Sequence, residues 1–183
     1  MKHLQLIALI LSTLTLSAQE DTRNFKINDG KLMWQKVYQS PLKITEILTA
    51  LQALDSISGE SVRKLDDNTI IATLSKLPLD FRGYGKTEMS TPMYISRSVL
   101  NAKITIEVKD GRYRVTITGM TLTQRYDDGL IDMNEESDLA SYALRKKNTE
   151  FKSAFLGDPS GIIDYTLTKH FTLTKKQSND DNW

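Results

Sequence analysis

Side chains that could perform acid–base or metal chemistry are sparse in this chain. Histidine occurs only at His3 and His170, and cysteine does not occur at all. A zinc site needs three or four nitrogen or sulfur ligands, and a Ser-His-Asp triad needs a histidine with partners. His170 lies in a run of apolar residues and threonines, where we expect a packed or half-buried histidine. The sequence therefore indicates no catalytic residue, no metal site and no cofactor.

The densest group of potential metal ligands is the acidic stretch of residues 127–138. Its polar members are Asp127, Asp128, Asp132, Asn134, Glu136 and Asp138. Asp132, Asn134 and Glu136 are spaced like the first three ligand positions of an EF-hand loop. That loop needs glycine at its sixth position and glutamate at its twelfth, where this chain has Ser137 and Ala143. We therefore interpret the stretch as a solvated loop whose acidic groups favour the N-terminus of a following helix.

Two further patterns could support chemistry. The run Arg82-Gly-Tyr-Gly-Lys86 is rich in glycine but lacks the phosphate-loop pattern, so we interpret it as a flexible loop or an edge strand. Paired carboxylates, as used in glycoside hydrolysis, could come from any two acidic residues that converge in space. No spacing singles out such a pair. A pocket in which two acids with raised pKa converge would be the sign of this chemistry.

The clearest structural signal is the stretch Lys103–Met120, which consists of two alternating runs joined by Asp110-Gly111. This dipeptide favours a two-residue hairpin loop of type I′, with positive φ at both residues. The loop fixes a register in which the numbers of facing residues sum to 221. One face then carries Ile104 opposite Ile117, Ile106 opposite Val115 and Val108 opposite Tyr113, and the other carries Glu107 opposite Arg114 and Thr105 opposite Thr116. The first face is apolar and should be covered, whereas the second is polar and should face water.

The polar face of this hairpin supplies the surface candidates for binding. They are Lys103, Glu107, Arg112 and Arg114. Because charged residues on a wet sheet face commonly serve only solubility, the pattern names no ligand.

The remaining periodicity predicts the other elements. It indicates a polar lead-in over 19–28, a turn at Asn28-Asp29-Gly30, strands over 31–38 and 69–77, an irregular connection over 78–91 and a short strand over 93–96. A helix over 43–55 is predicted, with Ser40 as its N-cap and Pro41 in its first turn. Residues 139–156 read as partly helical. The run 162–173 fits a strand or a helix, and the Asp158-Pro159-Ser160 start favours the helix.

An apolar stripe runs along the first predicted helix. It is formed by Ile44, Ile47, Leu48, Leu51 and Leu54. A sheet that is apolar on one side is stable only when another element covers that side. We therefore expect this stripe to pack on the hairpin's apolar face, with Ile163, Leu167 and Phe171 beside it.

The N-terminal residues have the pattern of a secretory signal. Residues 1–18 combine a short basic start, an apolar run and a small residue at the expected cut, and the run is too short to span a membrane. Removal of this segment leaves 165 of the 183 residues, with 23 basic and 23 acidic side chains. We therefore predict a single α+β domain over 19–176 and a polar tail over 177–183. The neutral charge argues against a nucleic-acid partner.

Three stretches of the chain resemble a known family. They are Asn28-Asp29-Gly30-Lys31, the run Ile106–Val115 and the ending Asp180-Asp181-Asn182-Trp183. The chain resembles the uncharacterised "domain of unknown function with TBP-like fold" family of exported Bacteroidetes proteins. The resemblance implies a twisted antiparallel sheet with helices on one face, like half of the TATA-binding protein, and it implies no activity. DNA binding is not expected, because the exposed face here carries both signs of charge.

These observations give one leading function and one alternative. We expect an exported, periplasmic or extracellular α+β protein that is a non-catalytic binding or structural domain of the cell envelope, with an unidentified envelope protein or ligand as its partner. The alternative is a carboxylate-dependent hydrolase that acts on an envelope or extracellular polymer. Pairing of two copies through a sheet edge is a further option, with the strands over 31–38 and 69–77 as candidate edges.

Overall fold

The structure, a computed structural model, describes residues 21–126 and 134–174. The predicted signal peptide (1–18), the polar tail (177–183) and the acidic residues Asp127, Asp128 and Asp132 lie outside the described residues. No helix within the described ranges is long and apolar enough to cross a bilayer.

The described chain forms a seven-stranded antiparallel sheet with helices packed against it. The strands of this sheet are β1 (Phe25–Asn28), β2 (Lys31–Gln39), β3 (Arg63–Lys64), β4 (Thr69–Pro78), β5 (Ser98–Lys109), β6 (Arg112–Gln124) and β7 (Glu136–Asp138). Their order is β1-β2-β6-β5-β4-β3, and β7 also pairs with β6. A small hairpin is made by β8 (Leu144–Arg145) and β9 (Glu150–Phe151). The helices are α1 (Ile44–Gln52), α2 (Met93–Ser96), α3 (Leu139–Ala143), α4 (Ser153–Leu156) and α5 (Asp158–His170), with one 3₁₀ turn at Gly59–Ser61.

The predicted register of the central hairpin is confirmed. Every pair of β5 and β6 from Lys103–Thr118 to Lys109–Arg112 has numbers that sum to 221. Beyond this region the register shifts by one residue, and Gly119 there has a φ of +58°. A bulge with glycine in the left-handed region explains the shift, because it places one extra residue in β6.

The predicted type I′ geometry of the Asp110-Gly111 turn is wrong. Of these two residues only Gly111 has a positive φ, at +72°. A turn that needs positive φ only at its second central residue lets Asp110 avoid the left-handed region, which is strained for a side chain. The φ values expected for type I′ occur instead at Asp29 (+49°) and Gly30 (+70°), between β1 and β2.

One hydrophobic core joins the apolar face of the sheet to the helices. Ile47 and Leu51 of α1 are fully buried, and the other three members of the stripe are partly buried against the same core. The sheet contributes Ile104, Ile106, Val115 and Ile117 to this core. The helix predicted for residues 162–173 is confirmed as α5. Its residues Ile163 and Leu167, and Phe171 directly after it, are buried in the same core. The α+β fold with helices against one apolar sheet face is therefore as predicted.

The segment predicted as a loose lead-in is instead partly the edge strand β1. Phe25 is buried and its ring lies edge-on to Phe155, with ring centroids 5.1 Å apart. Ile27 also packs against the core. The alternation of only two apolar residues was too short to indicate a strand, and tertiary packing of the phenylalanine stabilises it.

Two further boundaries differ from the predictions. Residues 93–96 form a helical turn rather than a strand, because Pro92 begins it and only Ile95 is buried. The first helix, predicted over 43–55, covers Ile44–Gln52. Its N-cap is Lys43 rather than the predicted Ser40, whose N–H donates to the Gly111 carbonyl (2.9 Å) and so remains in the sheet. The Glu46 carboxylate accepts from the Lys43 N–H (2.9 Å), which satisfies the start of the helix.

Candidate functional site

The exposed face of the sheet carries the binding candidates predicted from the sequence. The Arg114 guanidinium donates two hydrogen bonds to the Glu107 carboxylate, from Nε (2.8 Å) and from Nη2 (2.7 Å). The two residues face each other across β5 and β6, as the register predicted. Such an exposed pair contributes little to stability, but a bidentate contact holds both side chains in one orientation.

A shallow cavity of about 230 Å³ lies beside this ion pair. Its lining is Val37, Glu107, Lys109, Arg112, Tyr113 and Arg114. We name its five outward-facing residues, Val37, Glu107, Lys109, Arg112 and Arg114, the hairpin corner. Val37 is 49% exposed, so about half of this apolar residue faces solvent. Sequence analysis did not identify Val37 as part of this surface, because only the pairing of β2 with β6 places it opposite Arg114.

The structure separates the candidate Lys103 from the other three candidates. Lys103 lines a different cavity of about 500 Å³, together with Gly119 and Asp138. Glu107, Arg112 and Arg114 therefore form one surface, and Lys103 belongs to another part of the same sheet face.

The hairpin corner rests on a rigid base. Tyr113 is buried below it, donates its hydroxyl proton to the Phe171 carbonyl (2.7 Å) and accepts from the Leu173 N–H (3.0 Å). The Tyr38 ring stacks on the Tyr113 ring, with centroids 5.0 Å apart. Burial raises the pKa of both phenols, so they remain neutral packing groups at pH 7. The corner therefore offers an apolar contact and charges, and no activated nucleophile.

His170 is packed as expected, and its partner is a residue that sequence analysis did not single out. The His170 Nε2 and the Ser56 Oγ are 2.9 Å apart, which ties the end of α5 to the turn after α1. The imidazole also lies edge-on to the Phe171 ring, at 5.0 Å between centroids. Burial lowers the pKa of His170, so the ring is neutral at pH 7. No sequence pattern relates Ser56 to His170, since they are 114 residues apart.

We expect the free energy of unfolding to fall as the pH drops below about 6.5, the ordinary pKa of histidine. Burial holds the pKa of His170 lower in the folded chain, so below this pH the unfolded chain binds more protons. The stabilising effect is complete above pH 6.5 and is lost as the pH falls through the folded-state pKa. For one group the slope cannot exceed about 1.4 kcal/mol per pH unit.

Urea denaturation of residues 19–183 between pH 8 and pH 5 measures this effect, because His170 is the only histidine in that range. His170→Gln should flatten the dependence, and Ser56→Ala should leave the slope in place. If the free energy of unfolding depended on pH in the same way for the parent chain and for His170→Gln, the imidazole would not be the titrating group.

The acidic residues with shifted pKa are all held in their charged form. The backbone N–H of Gly83, followed by Lys169, lowers the pKa of Asp80. Hydrogen bonds lower the pKa of Asp66 and of Glu150 as well, chiefly from the Asn68 backbone and from Lys146. A hydrolase of the alternative class needs an acid with a raised pKa. None of the shifted acids in the described ranges supplies one.

The glycine-rich run and the end of the acidic stretch have structural roles. The Asp80 Oδ1 accepts from the Gly83 N–H (2.8 Å), and the Lys86 ammonium lies 2.8 Å from the Asp158 carboxylate. This run is therefore a loop tied to α5, and the edge-strand option is wrong. Asp138 accepts from the Ala140 N–H (2.8 Å) and begins α3, as the helix-start interpretation predicted. The part of the chain that the structure describes contains no cluster of three metal-binding side chains.

Comparison with known proteins gives two structural neighbours. No protein-family model matches the chain, and no curated protein matches its sequence. One similar structure is that of a DUF4468 family protein from Bacteroides ovatus, with 17% identity over 87% of this chain and 99% of that chain and a TM-score of 0.46. Another is that of a TBP-like protein from Parabacteroides distasonis, with 16% identity over 80% of this chain and 91% of that chain and a TM-score of 0.48. Both names are consistent with the family that the sequence resembles, a domain of unknown function with a TBP-like fold.

Proposed function

We propose that this chain is a non-catalytic, exported domain of the cell envelope that binds a partner protein through the hairpin corner. The observation that supports this proposal is the position of Val37, a half-exposed apolar side chain surrounded by charged groups. Protein interfaces commonly have an apolar centre and a polar rim, and arginine is enriched in them. The corner has this arrangement on a face that is otherwise polar.

The geometry of the corner favours binding over catalysis. Val37 lies on a strand that pairs with β6, and the stacked rings of Tyr38 and Tyr113 support it from below. A surface that is already ordered loses little conformational entropy when a partner binds. Within the described ranges the one hydrogen-bonded serine–histidine pair, Ser56 and His170, packs between α5 and the turn after α1. A catalytic pair also needs a group that orients the imidazole and donors that stabilise the developing charge.

The charges of the corner indicate the chemistry of the partner. Three cations, Lys109, Arg112 and Arg114, surround the cavity with one anion, Glu107. Arg114 is engaged by Glu107, which leaves Lys109 and Arg112 to contact a partner. We therefore propose a partner that presents acidic groups around an apolar contact. The secretory pattern of residues 1–18 supports a location in the envelope for this partner.

The proposal is tested by capture from an envelope extract with residues 19–183 as bait. Val37→Asp and Arg112→Glu should each abolish capture, because one removes the apolar centre and the other reverses the rim charge. Lys103→Glu is the matched control, since it reverses a charge on the same sheet face in a different cavity. Its capture should equal that of the parent chain.

Two outcomes would contradict the proposal. One is that the parent chain captures only proteins that a blank bait also captures. The other is that the corner variants and Lys103→Glu retain the same proteins. Export has its own test in the same cells, because the chain recovered from the envelope fraction should have the intact mass of one that begins near Gln19.

A further inference from the structure

One half of strand β2 has an open edge. β1 pairs with β2 only up to Phe25 opposite Trp34, and the Gln35 N–H then donates to the Asn24 carbonyl (2.9 Å). The chain before Asn24 turns away, with a φ of +54° at Arg23, whose guanidinium donates to the Leu156 carbonyl (2.6 Å). Within the described ranges no strand pairs with residues 36–39 on this side. The two strands predicted as candidate edges, 31–38 and 69–77, are each covered in part, because β1 pairs with residues 31–34 and β3 pairs with Ile70 and Ile71.

The hydrogen bonds around this edge show which backbone groups face outward. In an antiparallel pair, successive residues of a strand direct their N–H and C=O to alternate sides. The Ser40 N–H donates to Gly111, the residue before β6, whereas the Gln35 N–H donates toward β1. Even-numbered residues of β2 therefore bond to β6. Val37 and Gln39 direct their N–H and C=O groups to the open side, which gives four backbone groups available for pairing.

We propose that this edge pairs with the same edge of a second copy of the chain. In a two-fold antiparallel arrangement, Val37 of each copy faces Gln39 of the other, and all four outward groups of each copy form hydrogen bonds. Such a self-complementary patch is what a symmetric dimer requires. The second copy also supplies a strand that is already folded, whereas a disordered peptide would have to be ordered on binding.

The side chains in this arrangement are compatible with one another. Tyr38 faces Tyr38 of the second copy, and Lys36 faces Ser40 of the second copy, so no like charges are opposed. The Lys36 ammonium is directed away to the Thr168 hydroxyl (2.9 Å). A register with Val37 facing Val37 would instead bring in Gln35, whose N–H already bonds to Asn24. The register of Val37 with Gln39 is therefore the one that uses every free group.

This dimer goes beyond the proposed function, because it needs no partner protein. The side chains of the hairpin corner lie on the polar sheet face, and pairing at the edge leaves that face open. Two copies joined in this way would present two hairpin corners on one continuous sheet. The contact is short, so we expect a weak, concentration-dependent association rather than an obligate dimer.

Sedimentation equilibrium of purified residues 19–183 over a range of concentrations tests the proposal. Val37→Pro removes an outward N–H and leaves the bonds to β6 intact, and proline is tolerated where the N–H of an edge strand faces solvent. It should weaken self-association by at least about tenfold, because two hydrogen bonds are lost per dimer. Val37→Thr keeps the N–H and is the matched control, which should associate like the parent chain. A circular-dichroism spectrum verifies the fold of each variant.

Cross-linking tests the register without relying on the proline variant. Because the chain has no cysteine, Val37→Cys and Gln39→Cys each introduce a single thiol. When the two variants are mixed and oxidised, the disulfide-linked dimer of one Val37→Cys chain with one Gln39→Cys chain should form in clear excess. Disulfide-linked dimers of two identical variants should be minor products. Like-with-like products in equal yield would overturn the proposal.

Other results would also overturn it. A parent chain that stays monomeric at every concentration has no such dimer, and equal association of Val37→Pro and Val37→Thr would place the contact elsewhere. Failure of the envelope capture alone bears on the proposed function and leaves the dimer standing, since sedimentation uses the purified chain.

Discussion

Replacement of Trp34 by alanine should lower the free energy of unfolding by about 3–5 kcal/mol, the range for truncating a buried aromatic side chain. The indole is fully buried at the centre of the sheet's covered face. Its Nε1 donates to the Asp164 carboxylate (2.8 Å), which also accepts from the Asn24 amide (2.6 Å). One side chain thus joins β2 to α5, and its loss leaves both a cavity and a weakened polar contact.

Trp34→Phe separates these two contributions. It keeps most of the apolar volume but removes the N–H, so the loss should be about 1–3 kcal/mol, as for a hydrogen bond to a charged group. Urea denaturation should be followed by far-ultraviolet circular dichroism rather than by tryptophan fluorescence, because the variants remove one of only two tryptophans. A loss below about 1 kcal/mol for Trp34→Ala would mean that the indole is not part of the core.

The contact between Trp34 and Asp164 shows where sequence reasoning reaches its limit. The strand that contains Trp34 was predictable from its residue types and from the turn before it. Its bond to Asp164 spans 130 residues, and no local pattern encodes such a distance. The same holds for Ser56 and His170. Local signals predicted the elements, whereas the long-range polar contacts depend on how the helices cross the sheet.

The hairpin corner was half predictable for a related reason. The Glu107–Arg114 pair follows directly from a two-residue loop, because the loop length fixes the register. The exposure of Val37 and the open edge depend on where β1 stops, and that point is set by the turn at Arg23 and its contact with α4. A left-handed backbone at an arginine has no signature in a single sequence. The short strand β1 was missed for the same reason, since only its packing stabilises it.

Replacement of Leu51 by alanine should cost about 2–5 kcal/mol of unfolding free energy. Leu51 and Ile47 are the two fully buried residues of α1, and both belong to the core that includes Ile104 and Ile106 of the sheet. An amphipathic helix contributes mainly through this face, because isolated helices of nine residues are not stable in water. The cost should therefore reflect the loss of helix-to-sheet packing.

Thr49→Ala is the matched control on the opposite side of the same helix. Its side chain is exposed and bonds only to the Thr45 carbonyl (3.0 Å), so the change should stay within about 0.5 kcal/mol. If Leu51→Ala and Thr49→Ala lowered the free energy of unfolding equally, packing of the buried face would not be what stabilises α1. A loss below about 1 kcal/mol for Leu51→Ala would place α1 on the surface. The apolar face of the sheet would then need a different cover, since a one-sided sheet cannot remain bare.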